Sequence, residues 1–446
     1  MSDAAGSPEV DAAPAPTGVS GAIAQSSGWR RALLAFAAGA LSALALPPLY
    51  LVPLLVLGLT VLTSLLDGTL WTRSGPTVPP RAGLRRAAVV GWWFGFGFFL
   101  VGLYWIGFAF LVDAATYAWM MPFAVVAMPA GLALFAAAAA ATARLMWTPG
   151  PERIVALAVA WAGFEWLRGH VLTGFPWNLI GYAWSGSIEI VQSTSLFGIY
   201  GLSFLTVLFC AAPATLYFGG SRGRGAPIVL GLALTLVAGL WAGGLWRILQ
   251  SDNAVVDGVT LRLVQPSIPQ AEKWRRGNER AVFRQHLDLT AAPGYDRITH
   301  VVWPESAVPY VLSREPQLLS DIADVLGSER VLLVGAVRYE FRPGDPDPVY
   351  FNALHAIEAR PADDGVAPEV TGTFDKFHLV PFGEYLPLAP LLSRIGLRQL
   401  AQGAGGFAAG PGPVTLEVSC APPVSPLICY VMIFLGSVTA SVAPAP

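Results

Sequence analysis

The sequence predicts a polytopic α-helical membrane domain followed by an α/β domain of about 190 residues. Three observations carry that expectation. The 446 residues are 54% hydrophobic and 13% charged, with a mean hydropathy of +0.56, whereas an average soluble chain carries about 25% charged residues. Long apolar segments recur through the first 250 positions, with basic residues confined to alternate loops. From Val259 onward charges return, and short β-branched runs alternate with polar helical stretches. A net charge of −2 provides no basic field for a nucleic-acid partner. Three cysteines are too few for a disulfide framework. Cys210 lies in an apolar segment and reads as packing, while Cys420 and Cys429 can pair only in an oxidising compartment.

Residues 1–28 are rich in Ala, Gly, Ser and Pro and read as a disordered cytoplasmic tail, without the basic cluster and apolar core of a signal peptide. The membrane domain is expected over residues 29–250, with about seven helices near 32–47, 50–66, 88–112, 119–142, 154–167, 195–218 and 227–246. Leu46-Pro47-Pro48-Leu49 separates the first two, which are short and predict a tight hairpin. Basic residues precede span one (Arg30, Arg31) and lie between two and three (Arg73, Arg81, Arg85, Arg86), four and five (Arg144, Arg153), and six and seven (Arg222, Arg224). The loops around 48 and 113–118 carry none. The positive-inside rule therefore puts the N-terminus in the cytoplasm, and seven spans leave everything after about 247 outside. Aromatic residues near span ends, such as Trp92, Trp93, Tyr104, Trp241 and Trp246, fit an interfacial belt. The loop from Glu165 to Trp177 combines ionisable, turn-forming and aromatic residues, and fits either an interfacial anchor or a wall of a lipid-facing site. Glu165 and Arg168 are three apart on a helix and can pair.

The second domain is expected over 255–446. Strand candidates are Thr260–Val264, Thr299–Trp303, Arg330–Val337, Phe351–Glu358, Val370–Thr373, Val414–Val418 and Ser425–Cys429, with helices over Glu279–Thr290 and Glu315–Leu326. A Gly/Ala-rich loop at 401–412 is a lid candidate.

Three apolar runs end at groups that are costly to bury without partners: Glu305 after Val301-Val302-Trp303-Pro304, Lys376 after Phe374-Asp375, and Cys429 after Pro426-Leu427-Ile428. The last reads as a buried strand ending at a nucleophile on a tight turn, with a helix to follow. A thiol nucleophile needs a proton acceptor and an oxyanion stabiliser. Glu305 can take the thiol proton, and Lys376 with the Tyr430 N–H can hold an oxyanion. Cationic Lys376 is also expected to lower the thiol pKa. The plainer reading is a buried Glu–Lys ion pair beside an inert core thiol. A Cys–His enzyme stays open, although none of His170, His286, His300, His355 and His378 stands in an evident catalytic motif. No His/Cys/Asp group has metal-ligand spacing, and no Gly-rich phosphate loop follows a strand.

Trp303-Pro304-Glu305, the run from Asp375 through Lys376 and Glu384 to Pro387, and Ile428-Cys429-Tyr430 resemble the Glu-Lys-Cys triad motifs of the nitrilase superfamily (carbon-nitrogen hydrolase domain). Together with Val264 to Trp274 and the loop at 165–177, they are similar to bacterial apolipoprotein N-acyltransferases from about residue 30 to about 440. The resemblance implies a nitrilase-like αββα sandwich on the periplasmic side of the bacterial inner membrane. It implies acyl transfer from a phospholipid, typically phosphatidylethanolamine, onto Cys429 as a thioester, and then to the diacylglyceryl-cysteine at the head of an apolipoprotein. Glu305 would be the base, Lys376 the oxyanion stabiliser and Cys429 the nucleophile. Glu384 is a supporting carboxylate, and Trp274 and Tyr430 match positions used at the site. No cofactor is implied, because the donor is already an ester.

Residue 431 is valine where the family pattern has a glutamate after Cys-Tyr; if that is the defect, Val431→Glu is expected to raise acylation, and no change would point to the missing C-terminal half. The chain stops at Pro446, which predicts that the sandwich is incomplete at its C-terminal end. Two alternatives follow: an inactive truncated relative that only binds lipid or lipoprotein, and a membrane-anchored nitrilase-type amidase acting on soluble amides.

Overall fold

A computed structural model of the chain describes residues 18–70, 80–111, 114–148, 150–216, 225–252, 254–344, 347–363, 365–381, 383–386, 406–434, 436 and 438–439. Contacts divide it into two compact units, Met1–Asp252 and Asn253–Pro446.

The first unit is helical. Its main helices are α1 (Gly18–Ala24), α2 (Gly28–Ala43), α3 (Val52–Asp67), α4 (Pro80–Gly102), α5 (Met121–Leu145), α6 (Arg153–His170), α7 (Thr194–Ala211) and α8 (Gly225–Gln250). Residues 1–17 lie outside the described residues, but 18–24, counted with the tail in the sequence reading, form a helix with Ser20, Gly21 and Ala24 buried. Arg31 fastens the following turn by donating to the Ser26 carbonyl at 2.8 Å. Among the described residues five helices are long and apolar enough to cross a membrane. The other two expected spans fall short for separate reasons. The 16 residues of α2 reach about 24 Å, less than the ~30 Å hydrocarbon core. Helix α6 carries Arg153, Glu165 and Arg168.

Those charges turn inward and are paired, as charges within a helical bundle must be. Arg153 Nε lies 3.1 Å from Asp67 Oδ1, which also accepts from Trp147 Nε1 at 2.9 Å. Glu165 Oε1 accepts from Trp161 Nε1 at 3.1 Å and the Ile180 N–H at 2.9 Å. Arg168 donates to the Trp177 carbonyl at 2.6 Å and stands 3.9 Å from Glu165. Both are buried, so this pair braces the 169–180 loop from within rather than presenting charge to an outer surface.

The second unit is a five-stranded mixed sheet in the order β1 (Leu261–Leu263), β2 (His300–Val302), β3 (Val331–Glu340), β4 (Val349–Ala362), β5 (Gly365–Asp375). Strands β1, β2 and β3 are mutually parallel, and β4 runs antiparallel to both β3 and β5. Helices α9 (Glu279–Thr290) and α10 (Pro316–Leu326) bury amphipathic faces: Phe283, Leu318, Ile322 and Leu326 join Val301, Trp303, Leu332, Val334 and Ile357 in one core.

Two expected strands are not strands. Val414–Val418 contributes one bridge, Leu416 to Val424. Ser425–Cys429 joins no strand ladder among the described residues and is followed by a single 3-10 turn, Cys429–Ile433, in place of the expected helix. Pro422, Pro423 and Pro426 lack the N–H groups a ladder needs, so the run buries Pro426 and Ile428 as extended, unpaired chain.

Candidate active site

Topology brings the candidate residues to one sheet edge. Strands β2, β3 and β5 run the same way, so the C-terminal ends of β2 and β5 lie on the edge where β4 begins. Glu305 follows β2, Lys376 follows β5, and Asn352 stands near the start of β4, its carbonyl accepting the Lys376 N–H at 2.8 Å. Side chains at strand C-termini project past the sheet, where ligands of open α/β sheets bind.

The Glu305 turn needs glycine beneath it. A Cβ on Gly335 of β3 would lie 2.7 Å from Glu305 Cα and from the Pro304 carbonyl oxygen. Trp303 N–H donates to the Leu333 carbonyl and Ala307 N–H to the Gly335 carbonyl, both at 2.8 Å, clamping the turn at either side. Ser306 inside it has φ 47°. Cys429 is likewise left-handed, with φ 57°, directly after extended Ile428. Such a conformation costs a non-glycine residue about 1 kcal/mol or more and is kept where surrounding contacts impose it.

Lys376 is 1% exposed. Its Nζ lies 2.9 Å from Glu384 Oε1 and 3.7 Å from Glu305 Oε1, and 5.4 Å from the centre of the Tyr430 ring. Glu384 is held by three donors: Lys376, Asn352 Nδ2 at 2.9 Å, and the Val380 N–H on Oε2 at 2.8 Å. Asn352 Nδ2 also donates to Glu305 Oε1 at 2.7 Å. The preceding residue, Asp375, pairs with Arg338 and fixes the end of β5. Residues 406–410 close this side, with Phe407 N–H on the Glu384 carbonyl at 2.8 Å and Gly410 N–H on the Lys376 carbonyl at 3.0 Å. This part of the expected lid is thus hydrogen-bonded to the site, and 401–405 lie outside the described residues.

Cys429 is at the surface, with the Glu305 carboxylate, the Lys376 ammonium and the Tyr430 N–H close enough to act on its thiol. Partial burial, then the Glu305 charge, push this thiol above its ordinary range, against the opposing pull of Lys376 and the Tyr430 N–H. The depression expected from Lys376 is therefore present but outweighed, because the sulfur lies against protein and shares its surroundings with a carboxylate. All three cysteines are free. His378 is stacked on Phe434 with ring centres 3.7 Å apart. Among the described residues no group of His, Cys, Asp and Glu can hold a metal.

The structure thus gathers Glu305, Lys376, Glu384, Cys429 and Tyr430, whose hydroxyl donates to the Leu379 carbonyl at 2.8 Å. Trp274 is 37% exposed, and the ammonium of its neighbour Lys273 lies 5.9 Å from the centre of its ring. Burial pushes the Lys273 ammonium down, and the nearby Glu305 charge partly restores it. Sequence reasoning missed Lys273 and Asn352. The available signal for Asn352 was a polar residue inside an otherwise apolar strand run.

Residues 38–212 match the apolipoprotein N-acyltransferase N-terminal domain family. An apolipoprotein N-acyltransferase of Rhodopseudomonas palustris is 43% identical over 414 residues, covering 91% of this chain and 75% of the relative. One of Brucella suis is 44% identical over 426 residues, covering 93% and 76%. One of Allorhizobium ampelinum is 41% identical over 413 residues, covering 92% and 75%. The chain belongs to the apolipoprotein N-acyltransferase family. These alignments are long enough to span both units. With its five apolar helices, this member is a multi-pass membrane protein.

Proposed function

We propose that this chain transfers an acyl chain from a membrane phospholipid, of which phosphatidylethanolamine is the expected donor, to the α-amino group of the diacylglyceryl-cysteine of an apolipoprotein, through a thioester on Cys429. The observation that carries the reading is the convergence on one thiol of a carboxylate, a buried ammonium and a backbone N–H. Cys429 Sγ attacks the ester carbonyl while Glu305 takes the thiol proton. Lys376 and the Tyr430 N–H stabilise the tetrahedral oxyanion. Its collapse expels the lysophospholipid alkoxide, which takes the proton back from Glu305. The acceptor amine then attacks the thioester, loses a proton to Glu305 and leaves as an amide, and the Cys429 thiolate recovers that proton. Glu384 fixes Lys376 throughout, and no cofactor enters. The names of the relatives favour a lipoprotein acceptor over a soluble amide. The basic loops, read with seven spans, favour a periplasmic second unit, and the resemblance of its motifs favours a nitrilase-like αββα fold in an inner-membrane protein.

Incubating the protein in detergent with phosphatidylethanolamine is expected to add one acyl mass, mapped by peptide analysis to Cys429 and not to Cys210 or Cys420. Folded protein that acquires no adduct sinks the reading and favours a relative that only binds lipid.

Val431 bears on the same test. It is fully buried. A carboxylate there must leave water, which costs several kcal/mol unless a partner compensates it. Val431→Glu, expected from the motif alone to raise activity, is now expected to lower the unfolding midpoint without raising the thioester yield. A higher yield at an unchanged midpoint would count against this packing account.

A further inference from the structure

We propose that Asn352 is a positioning residue of this site: its carboxamide ties Glu305 to Glu384 around Lys376 and holds the Glu305 carboxylate beside the Cys429 thiol. The proposal rests on the acyl-transfer reading for its consequence, and on distances for its geometry. An amide nitrogen carries two hydrogens, and both are committed here, to Glu305 Oε1 at 2.7 Å and to Glu384 Oε1 at 2.9 Å. The lysine alone does not orient Glu305, because Nζ to Oε1 is 3.7 Å, beyond hydrogen-bond length. Glu384 has three donors of its own, whereas the short contact on Glu305 from a neighbouring side chain is the amide.

Asn352 is itself rigid. It is 4% exposed, lies within β4 opposite Val337 of β3, and accepts the Lys376 N–H on its carbonyl. Its Oδ1 is buried with no donor among the described residues, so the two carboxylates fix the sense of the amide. The reverse orientation would set an oxygen against both. A neutral donor suits this position. It orients the base without the competing charge of a second cation.

The test uses the intact protein in detergent. Asn352→Ala is expected to slow Cys429 thioester formation roughly tenfold to a hundredfold. The acid limb of its pH–rate profile should move, because the general base has lost the donor that positions it. Asn352→Asp should be slow at neutral pH, where a third carboxylate repels the other two, and should gain on wild type as the pH falls and its protonated acid donates in place of the amide. A merely structural residue would lower the folded fraction without moving the limb. A folded Asn352→Ala variant with the wild-type limb overturns the proposal. If that variant does not fold, Asn352→Asp showing no gain toward low pH overturns it as well. A second readout needs no phospholipid: the pH midpoint of iodoacetamide alkylation at Cys429 should fall in Asn352→Ala, because the Glu305 carboxylate is no longer held beside the thiol. An unmoved midpoint contradicts the positioning role, whereas wild-type protein that never forms a thioester contradicts only the acyl-transfer reading.

Discussion

Lys376→Met is expected to reduce Cys429 thioester formation on the order of a thousandfold and to lower the stability of the second unit by about 3 kcal/mol. Methionine matches the length and apolar stem of lysine, so packing changes little while the charge disappears. The ammonium is 1% exposed and lies 2.9 Å from Glu384 and 3.7 Å from Glu305. Removing it leaves two carboxylates on one amide with no cation between them. The stability cost falls mainly on Glu384, whose side chain is 12% exposed, since Glu305, at 35%, is partly relieved by water. The kinetic cost falls on the oxyanion, which would keep only backbone donors. Lys376→Arg restores the charge but not the activity, because a planar guanidinium does not fit a space filled by a compact ammonium. Thioester rates and unfolding midpoints in detergent check both effects. Activity in the methionine variant within tenfold of wild type would remove Lys376 from the chemistry.

The candidate site is largely legible in the sequence because each of its charged or nucleophilic residues ends an apolar run. Apolar runs become strands or packed extended chain, and polar groups at their ends are left at a sheet edge with their partners. This logic finds Glu305 and Lys376 at the ends of β2 and β5. It reaches Cys429 by a partly mistaken route: the run before it is extended and buried but unpaired. It misses Asn352 because a polar residue within a strand has no terminal signature, and its role depends on the β3–β4–β5 register. It also misjudges the thiol, since the balance between a carboxylate, an ammonium and burial is a matter of distances.

The helices of the first unit are legible for a simpler reason. Apolar length is additive along a chain, so α3 and α5 through α8 fall within several residues of the expected spans. Helix α4 begins earlier, at Pro80, and stops at Gly102, with 3-10 turns over Tyr104–Leu111 where continued helix was expected. The inward turn of Glu165 and Arg168 was not legible. A carboxylate and a guanidinium three residues apart announce a pair, but not that Trp161, Ile180 and Trp177 surround it.

Glu305→Gln separates the two roles a carboxylate plays beside a thiol. Glutamine keeps the shape but neither accepts a proton nor carries charge, so thioester formation should fall by about a hundredfold to ten-thousandfold. Reactivity toward a small electrophile should move the other way. The Cys429 thiol is pushed up first by burial and then by the Glu305 charge. The variant keeps the burial and loses the charge, while Lys376 and the Tyr430 N–H still favour the thiolate. The thiol should therefore ionise at lower pH than in wild type, and iodoacetamide alkylation at Cys429, which follows the thiolate fraction, should show a lower pH midpoint. A residue that only braced the fold would lower both rates together through loss of native protein. A general base held against its own nucleophile gives slower acyl transfer with an easier-ionised thiol. A midpoint that stays in place or rises would show that Glu305 exerts no field on Cys429, and the proton-transfer role would go with it.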